Sequence, residues 1–148
     1  MKSLTNLQLL NIYKYINMSV SDENSKKQTF PIMDIVKKFN TKSKWAFRLN
    51  LKKIENILTV YEEALKELQS EYLDDEHSEE VSSKNENEEC TTTRVIKNEY
   101  LAEYQQKCRE LLEQQNDLDF KLINIEDIED IDLEFEDLEM LSFMINEE

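Results

Sequence analysis

The chain of 148 residues contains no glycine, and its only proline is Pro31. Tight β-turns favour glycine where the backbone φ angle must be positive, so this composition disfavours hairpin-rich sandwiches and barrels. Helices joined by ordinary loops suit it better. The same absence excludes a phosphate-binding P-loop, a dinucleotide-binding G-x-G-x-x-G turn and a nucleophile elbow, because each places glycine at fixed positions.

The strongest periodic signal lies in residues 43–73. Apolar side chains recur there at alternating intervals of three and four residues, the spacing of an a/d stripe along one helix face. At 1.5 Å per residue this predicts a helix about 46 Å long, whose stripe needs a covering partner. The stripe consists of Phe47, Leu51, Ile54, Leu58, Tyr61, Leu65, Leu68 and Tyr72.

The covering partner is predicted within the chain. The same alternation returns after Thr92 and Thr93, either of which can cap a second helix. It consists of Leu101, Tyr104, Cys108, Leu111 and, after the polar Gln115, Leu118. Residues 74–92 between the two stripes are strongly acidic and predict a mobile acidic loop. We therefore expect a long antiparallel helical hairpin, with self-association through any uncovered part of the stripe as the alternative.

The remaining segments predict short elements packed at the base of this hairpin. Ser3 is a plausible cap for an N-terminal helix, and Pro31 marks the first turn of another. Residues 118–123 alternate like one short strand, or an extended segment laid against the helices. A strand there would pair with residues 130–135 or with the segment near Phe30.

In the acidic tract, residues 126–137, and directly beside it, apolar residues interleave with the acids, which predicts an apolar side that docks on the fold and excludes a free acidic tail. These residues are Ile125, Ile128, Ile131, Leu133, Phe135 and Leu138. An amphipathic helix closes the chain. The predicted fold class is mainly α: a long antiparallel helical hairpin with packed N- and C-terminal helices and at most a small strand pair. We expect residues 1–148 to form a single domain.

Charge is large and unevenly distributed. The net charge is −15, yet residues 26–53 hold nine of the eighteen lysines and arginines, whereas residues 117–148 hold thirteen acids and one base. Phosphates would repel such a molecule, so we expect no general binding to nucleic acids or membranes. The basic residues are expected to face the acidic third inside the fold, with Trp45 and Phe47 on the apolar side of the long helix.

Few residues are suited to catalysis or metal binding. His77, the only histidine, has polar neighbours and is expected in solvent, and Cys90 and Cys108 make neither a zinc set nor a disulfide framework. Asp117, Asp119 and Lys121 loosely match a metal-dependent nuclease grouping, but such triplets arise easily in a chain that is 34% charged. We therefore predict no enzyme activity, no cofactor and no metal, in a soluble protein of a reducing cytoplasm.

Several segments resemble one protein family. "LTNLQLLNIYKYI", "WAFRLNLKKIENILTVYEEALKEL", "YQQKCRELLEQQNDLDFKLINIEDI" and "LEFEDLEMLSFMI" are similar, in this order, to small uncharacterised proteins encoded by phages and prophages of low-GC Gram-positive bacteria. That family usually has a Thr-Pro pair where Glu134 and Phe135 stand here. The resemblance implies a phage origin, and therefore the host cytoplasm as the place of action, and it implies no particular activity.

The sequence leaves several functions open, all without enzyme activity. The first is a phage-encoded inhibitor of a host defence or nucleic-acid-handling machine, comparable to an anti-CRISPR protein, which occupies a basic groove of its partner. The alternatives are a head or tail accessory or assembly protein of the phage particle, and nucleic-acid binding through the basic segment 37–53. For the inhibitor, the carboxylates expected to replace phosphates are those of Asp127, Glu129, Asp130, Asp132, Glu134, Glu136 and Asp137.

Overall fold

The computed structural model describes residues 2–21, 28–84 and 86–146. The chain divides into two compact units: Met1–Leu58 with Gln115–Glu148 form unit 1, and Thr59–Gln114 form unit 2. One helix, α3 (Thr41–Tyr72), runs through the boundary at residue 58. The expectation of a single domain stays a prediction.

Unit 1 is built from short helices and two-residue or four-residue strands around the first half of α3. Two 3-10 turns, Ile125–Asp127 and Ser142–Met144, complete it. In chain order its other elements are β1 (Lys2–Thr5), α1 (Asn6–Ile16), β2 (Val20–Ser21), β3 (Gln28–Thr29), α2 (Pro31–Val36), β6 (Gln115–Leu118), β7 (Ile123–Asn124), α5 (Phe135–Leu141) and β8 (Ile145–Asn146).

Local sequence explains where these helices begin. Thr5, and not the expected Ser3, caps α1: its hydroxyl accepts from the Gln8 backbone N–H at 3.2 Å, and the Gln8 side chain accepts from the Thr5 N–H at 2.8 Å. This reciprocal pair is a capping box. Pro31 occupies the first turn of α2, as predicted.

Unit 2 contains the second half of α3, a β-hairpin and one further helix. The hairpin strands are β4 (Ser78–Lys84) and β5 (Cys90–Ile96), which pair antiparallel over seven residues each. The helix is α4 (Asn98–Glu113). In this unit the rings of Tyr72 and Tyr104 lie 5.4 Å apart between centroids, so the end of α3 contacts α4.

The predicted fold class is wrong. The protein is 57% helical with 21% strand, and in the described residues eight strands form four two-stranded sheets instead of at most one pair. The long helix expected over residues 43–73 is present as α3, but no clear helical hairpin forms. α4 has 16 residues against 32 in α3, and the first half of the α3 stripe belongs to the core of unit 1.

The acidic segment between the two predicted helices also differs from its prediction. Residues 74–92, expected as a mobile loop, contain β4 and the start of β5, and Thr92 and Thr93 lie in β5 and do not cap a helix. The hairpin forms without glycine because its loop is longer than two residues and Glu88 takes the left-handed conformation, with φ of 61°. β-Branched residues in β5 supply the strand propensity.

The core of unit 1 combines segments that lie far apart in the sequence. α1, α2, the first half of α3 and the C-terminal segment all contribute buried apolar side chains, and the rings of Phe120 and Phe143 lie 4.8 Å apart between centroids. Its most deeply buried large members are Phe47, Leu9, Ile16, Ile32, Ile54, Leu141 and Met144.

A buried amide of α3 binds the backbone of the C-terminal segment. Asn50 is 0% exposed, its Nδ2 donates to the Lys121 carbonyl at 2.7 Å, and its Oδ1 accepts from the Lys121 N–H at 2.7 Å. The Lys53 amine donates to the Asp119 carbonyl beside it. Asp119 and Lys121 therefore contact α3 through their backbone. The flanking strands have other partners: β6 pairs with β1, and β7 pairs parallel with β8.

We expect Asn50→Ala to lower the free energy of unfolding by about 2–3 kcal/mol, because the Lys121 N–H and C=O both lose their partner. Asn56→Ala changes an exposed asparagine of the same helix and should stay within about 0.5 kcal/mol of wild type. Urea unfolding measures both. Equal stability of the two variants would show that the amide does not hold this segment.

Candidate functional site: the acidic tract

The acidic tract, residues 126–137, is attached to unit 1 by its apolar side. Ile128 is buried, and Ile125, Ile131 and Leu133 are partly buried against the core cluster. Two turns shape the backbone: the Ile128 N–H donates to the Ile125 carbonyl, and the Ile131 N–H donates to the Ile128 carbonyl, both at 3.1 Å. The tract is therefore part of the fold, as the interleaved isoleucines predict.

Phe135 is an exception to that pattern. We expected it on the docking side with the isoleucines, but it is 80% exposed, more than any other large apolar side chain in the described residues. It stands at the start of α5 between Glu134 and Glu136, which are also exposed. Alternation alone would not have revealed this, because the tract turns into a helix at this point.

Asp137 is turned inward. Asp137 is only 8% exposed, and its Oδ1 accepts a hydrogen bond from the Tyr15 hydroxyl at 2.5 Å. Burial raises the pKa of the Tyr15 phenol well above its usual range, and the hydrogen bond to Asp137 raises it further. Tyr15 therefore stays protonated and donates, which stabilises the carboxylate in this partly buried position.

Glu134 is also used within the fold. Its carboxylate accepts from the Asp137 backbone N–H, and Asp137 Oδ2 accepts from the Glu134 N–H at 3.2 Å, so the two acids form a capping box for α5. This cap starts α5 at Phe135. Two of the seven acids predicted to contact a partner thus have structural roles.

The other five acids face solvent. Within the described ranges, no lysine or arginine nitrogen lies within 4.0 Å of their carboxylates. They lie in or next to a segment that the core holds in place, so they form a fixed and unneutralised negative surface. The five are Asp127, Glu129, Asp130, Asp132 and Glu136.

The basic segment does not neutralise this surface. Among its described residues, the ion pair formed is between Lys37 and Asp34, at 3.5 Å, and Lys53 donates to a backbone carbonyl. Lys26 and Lys27 lie outside the described residues. Lys53 therefore reaches the acidic third through the Asp119 carbonyl, and none of the described bases of residues 37–53 forms an ion pair with an acid of residues 117–148. The expectation that these bases face the acidic third otherwise stays a prediction. Phe47 is buried as expected, but Trp45 is 57% exposed.

Unit 2 holds a cluster around His77 that the sequence did not indicate. We expected this side chain in solvent, but it is half-buried, with its ring centroid 4.6 Å from that of Tyr100 and 5.3 Å from that of Tyr72. Its Nδ1 lies 2.7 Å from Asp74 Oδ1, which also accepts from the His77 backbone N–H at 2.8 Å. These contacts, led by the backbone hydrogen bond, lower the pKa of Asp74.

The same cluster has the composition of a weak cation site. Ligand atoms of Asp74, Glu76 and His77 lie within 4.8 Å of one another. Arg94 donates to the Asp74 carbonyl at 3.0 Å and to Asp75 Oδ1 at 2.7 Å. Since Asp74 already accepts two hydrogen bonds from His77 and the turn is tied to β5 by Arg94, these contacts serve first to close the base of the hairpin.

Comparisons with known proteins returned no match: none to a family model, none to a curated protein and none to a solved structure. The resemblance to phage-encoded proteins therefore stays a prediction. Across residues 2–21, 28–84 and 86–146, none of the helices combines the length and the apolar character needed to cross a bilayer.

The two kinds of acid in the tract predict different responses to substitution. Asp137→Ala should lower the free energy of unfolding by about 2 kcal/mol, because the Tyr15 hydroxyl and the Glu134 N–H both lose an acceptor. Asp130→Ala, the solvent-facing control, should change it by less than about 0.5 kcal/mol. Urea unfolding of both variants measures the difference, and an Asp137 variant as stable as wild type would contradict the structural role.

Proposed function

We propose that this protein is a non-enzymatic, phage-encoded binding module that occupies a basic, nucleic-acid-binding groove of a host protein. The observation that carries the proposal is the set of five solvent-facing carboxylates, Asp127 to Glu136, that no base of the described chain neutralises. A groove that binds phosphates by lysine and arginine would attract the same arrangement of negative charge.

Attachment of the tract to the core supports this mechanism. A free acidic tail would lose conformational freedom on binding, whereas a segment already fixed by Ile128 and by the α5 cap loses less. The net charge of −15 would accelerate encounter with a basic surface at low ionic strength. Inhibition would then be competitive: the partner's groove holds either nucleic acid or this tract.

The test compares two variants with the same change in net charge. The tract variant replaces five acids by their amides: Asp127→Asn, Glu129→Gln, Asp130→Asn, Asp132→Asn and Glu136→Gln. The control variant replaces five exposed glutamates of α3 and α4 in unit 2: Glu62, Glu63, Glu67, Glu110 and Glu113, each by Gln. Circular dichroism first checks that both remain folded.

Each tagged protein is then used to capture partners from a host lysate at low salt, and an added DNA duplex serves as competitor. We expect wild type and the control variant to retain a nucleic-acid-binding protein that DNA or high salt releases, and the tract variant to lose it. Equal retention by the two variants would show that the tract is not the contact surface and would overturn the proposal.

A second candidate function rests on unit 2. Five of its large apolar side chains are exposed: Val60, Leu73, Val81, Val95 and Leu101. An assembly role in a phage particle would use such side chains, and its contacts would resist salt because apolar burial does not depend on charge. Recovery of head or tail proteins from infected cells, equal at low and high salt and unaffected by the tract variant, would favour this role.

A further inference from the structure

A groove in unit 1 has an apolar floor. It lies along α2 and the first half of α3, and its volume is about 300 Å³. Met33, Val36, Phe47 and Leu51 line the floor; Val36 and Phe47 are buried, and the other two are half-buried. This volume lies at the small end of ligand sites, which span roughly 300–1,000 Å³, and suits one aromatic side chain with its immediate neighbours.

The edge of the groove is cationic. Lys37, Lys44 and Arg48 line it, and no acid does. Lys44 and Arg48 are four residues apart on α3 and so project from the same helix face. In the described residues neither forms an ion pair, whereas Lys37 pairs with the exposed Asp34. The groove therefore fits an apolar side chain that carries negative charges on both sides.

The same chain presents a segment of that description. Phe135 is 80% exposed, and the residues on either side of it are the exposed acids Glu134 and Glu136. A side chain exposed to this degree cannot occupy the groove of its own molecule. An exposed apolar group and a complementary pocket elsewhere on the same surface produce contacts between copies, because every molecule carries both halves.

We propose that the groove binds the segment Glu134–Glu136 of a second copy of this chain. Phe135 packs on the floor formed by Met33 and Phe47, and the flanking carboxylates lie against Lys44 and Arg48. The contact does not rest on the proposed function, since it uses the groove of α2 and α3. It would cover Glu136 while leaving Asp127, Glu129 and Asp130 free.

Salt concentration should affect this contact in two opposing ways. Two molecules of net charge −15 repel each other at long range, and about 0.1 M salt screens that repulsion beyond about 10 Å. Close pairs between carboxylates and Lys44 or Arg48 are screened less. Association should therefore be stronger at about 0.15 M salt than at about 0.01 M, the opposite of the dependence expected for binding to a basic host protein.

The test measures the mass of the full chain by sedimentation and light scattering over a concentration series at about 0.15 M salt. We expect the average mass of wild type to rise with concentration. Phe135→Ser and Arg48→Glu should each abolish the rise, because one lacks the inserted side chain and the other has an altered groove. Val60→Ser is the matched control, since Val60 is 65% exposed but lies in unit 2, and it should associate like wild type.

Mixing the two inactive variants gives the decisive result. Phe135→Ser keeps an intact groove and Arg48→Glu keeps an intact Phe135, so an equimolar mixture should form one-to-one dimers although neither variant associates alone. A mixture that stays monomeric, or a wild type that stays monomeric throughout the series, overturns the proposal. Loss of single-stranded DNA binding in Arg48→Glu, with wild type monomeric, would instead assign the groove to nucleic acid.

Discussion

The apolar face of α3 is the constraint on which the rest of the structure depends. One helix of 32 residues supplies Phe47, Ile54 and Leu58 to the core of unit 1, and further along it supplies Leu68 and Tyr72 to unit 2. In unit 1 the stripe is covered by α1, α2 and the C-terminal segment, and not by one antiparallel helix. Burial of apolar side chains is the dominant favourable contribution to folding. The segments that cover the stripe are therefore held in place by their contact with α3.

The C-terminal third is the segment whose position matters most for function. Asn50 binds the Lys121 backbone from α3, the isoleucines of the tract enter the core, and Tyr15 binds Asp137 from α1. These contacts hold the backbone on one side and leave carboxylates on the other. The proposed mimicry of phosphates depends on this division, because charge held on a rigid support loses little freedom when it binds.

Periodicity predicted α3, the start of α2 at Pro31 and the docking of the tract, because each depends on residues close together in the sequence. It did not predict what covers the stripe, since a/d spacing identifies an apolar face but not its partner. The absence of glycine does not prevent a hairpin, because Glu88 takes the left-handed conformation in the loop between β4 and β5. The groove on α2 and α3 depends on side chains from two helices and has no signature in either.

In the candidate site, too, local sequence patterns did not reveal contacts between residues far apart in the chain. The sequence identified the acidic tract and seven of its eight carboxylates, but the prediction treated Asp137 like its neighbours. Its inward position depends on a hydroxyl 122 residues away, which no local pattern contains. The exposure of Phe135 likewise follows from the point at which the Glu134–Asp137 cap starts α5.

The central claim is that the acidic tract is a fixed part of the fold. Amide hydrogen exchange followed by NMR tests it most directly, because the N–H groups of Ile128, Ile131 and Leu138 donate to backbone carbonyls within the tract. We expect these amides to exchange more slowly than in a synthetic peptide of residues 120–146. Equal rates in the protein and the peptide would show a free acidic tail and would contradict the account.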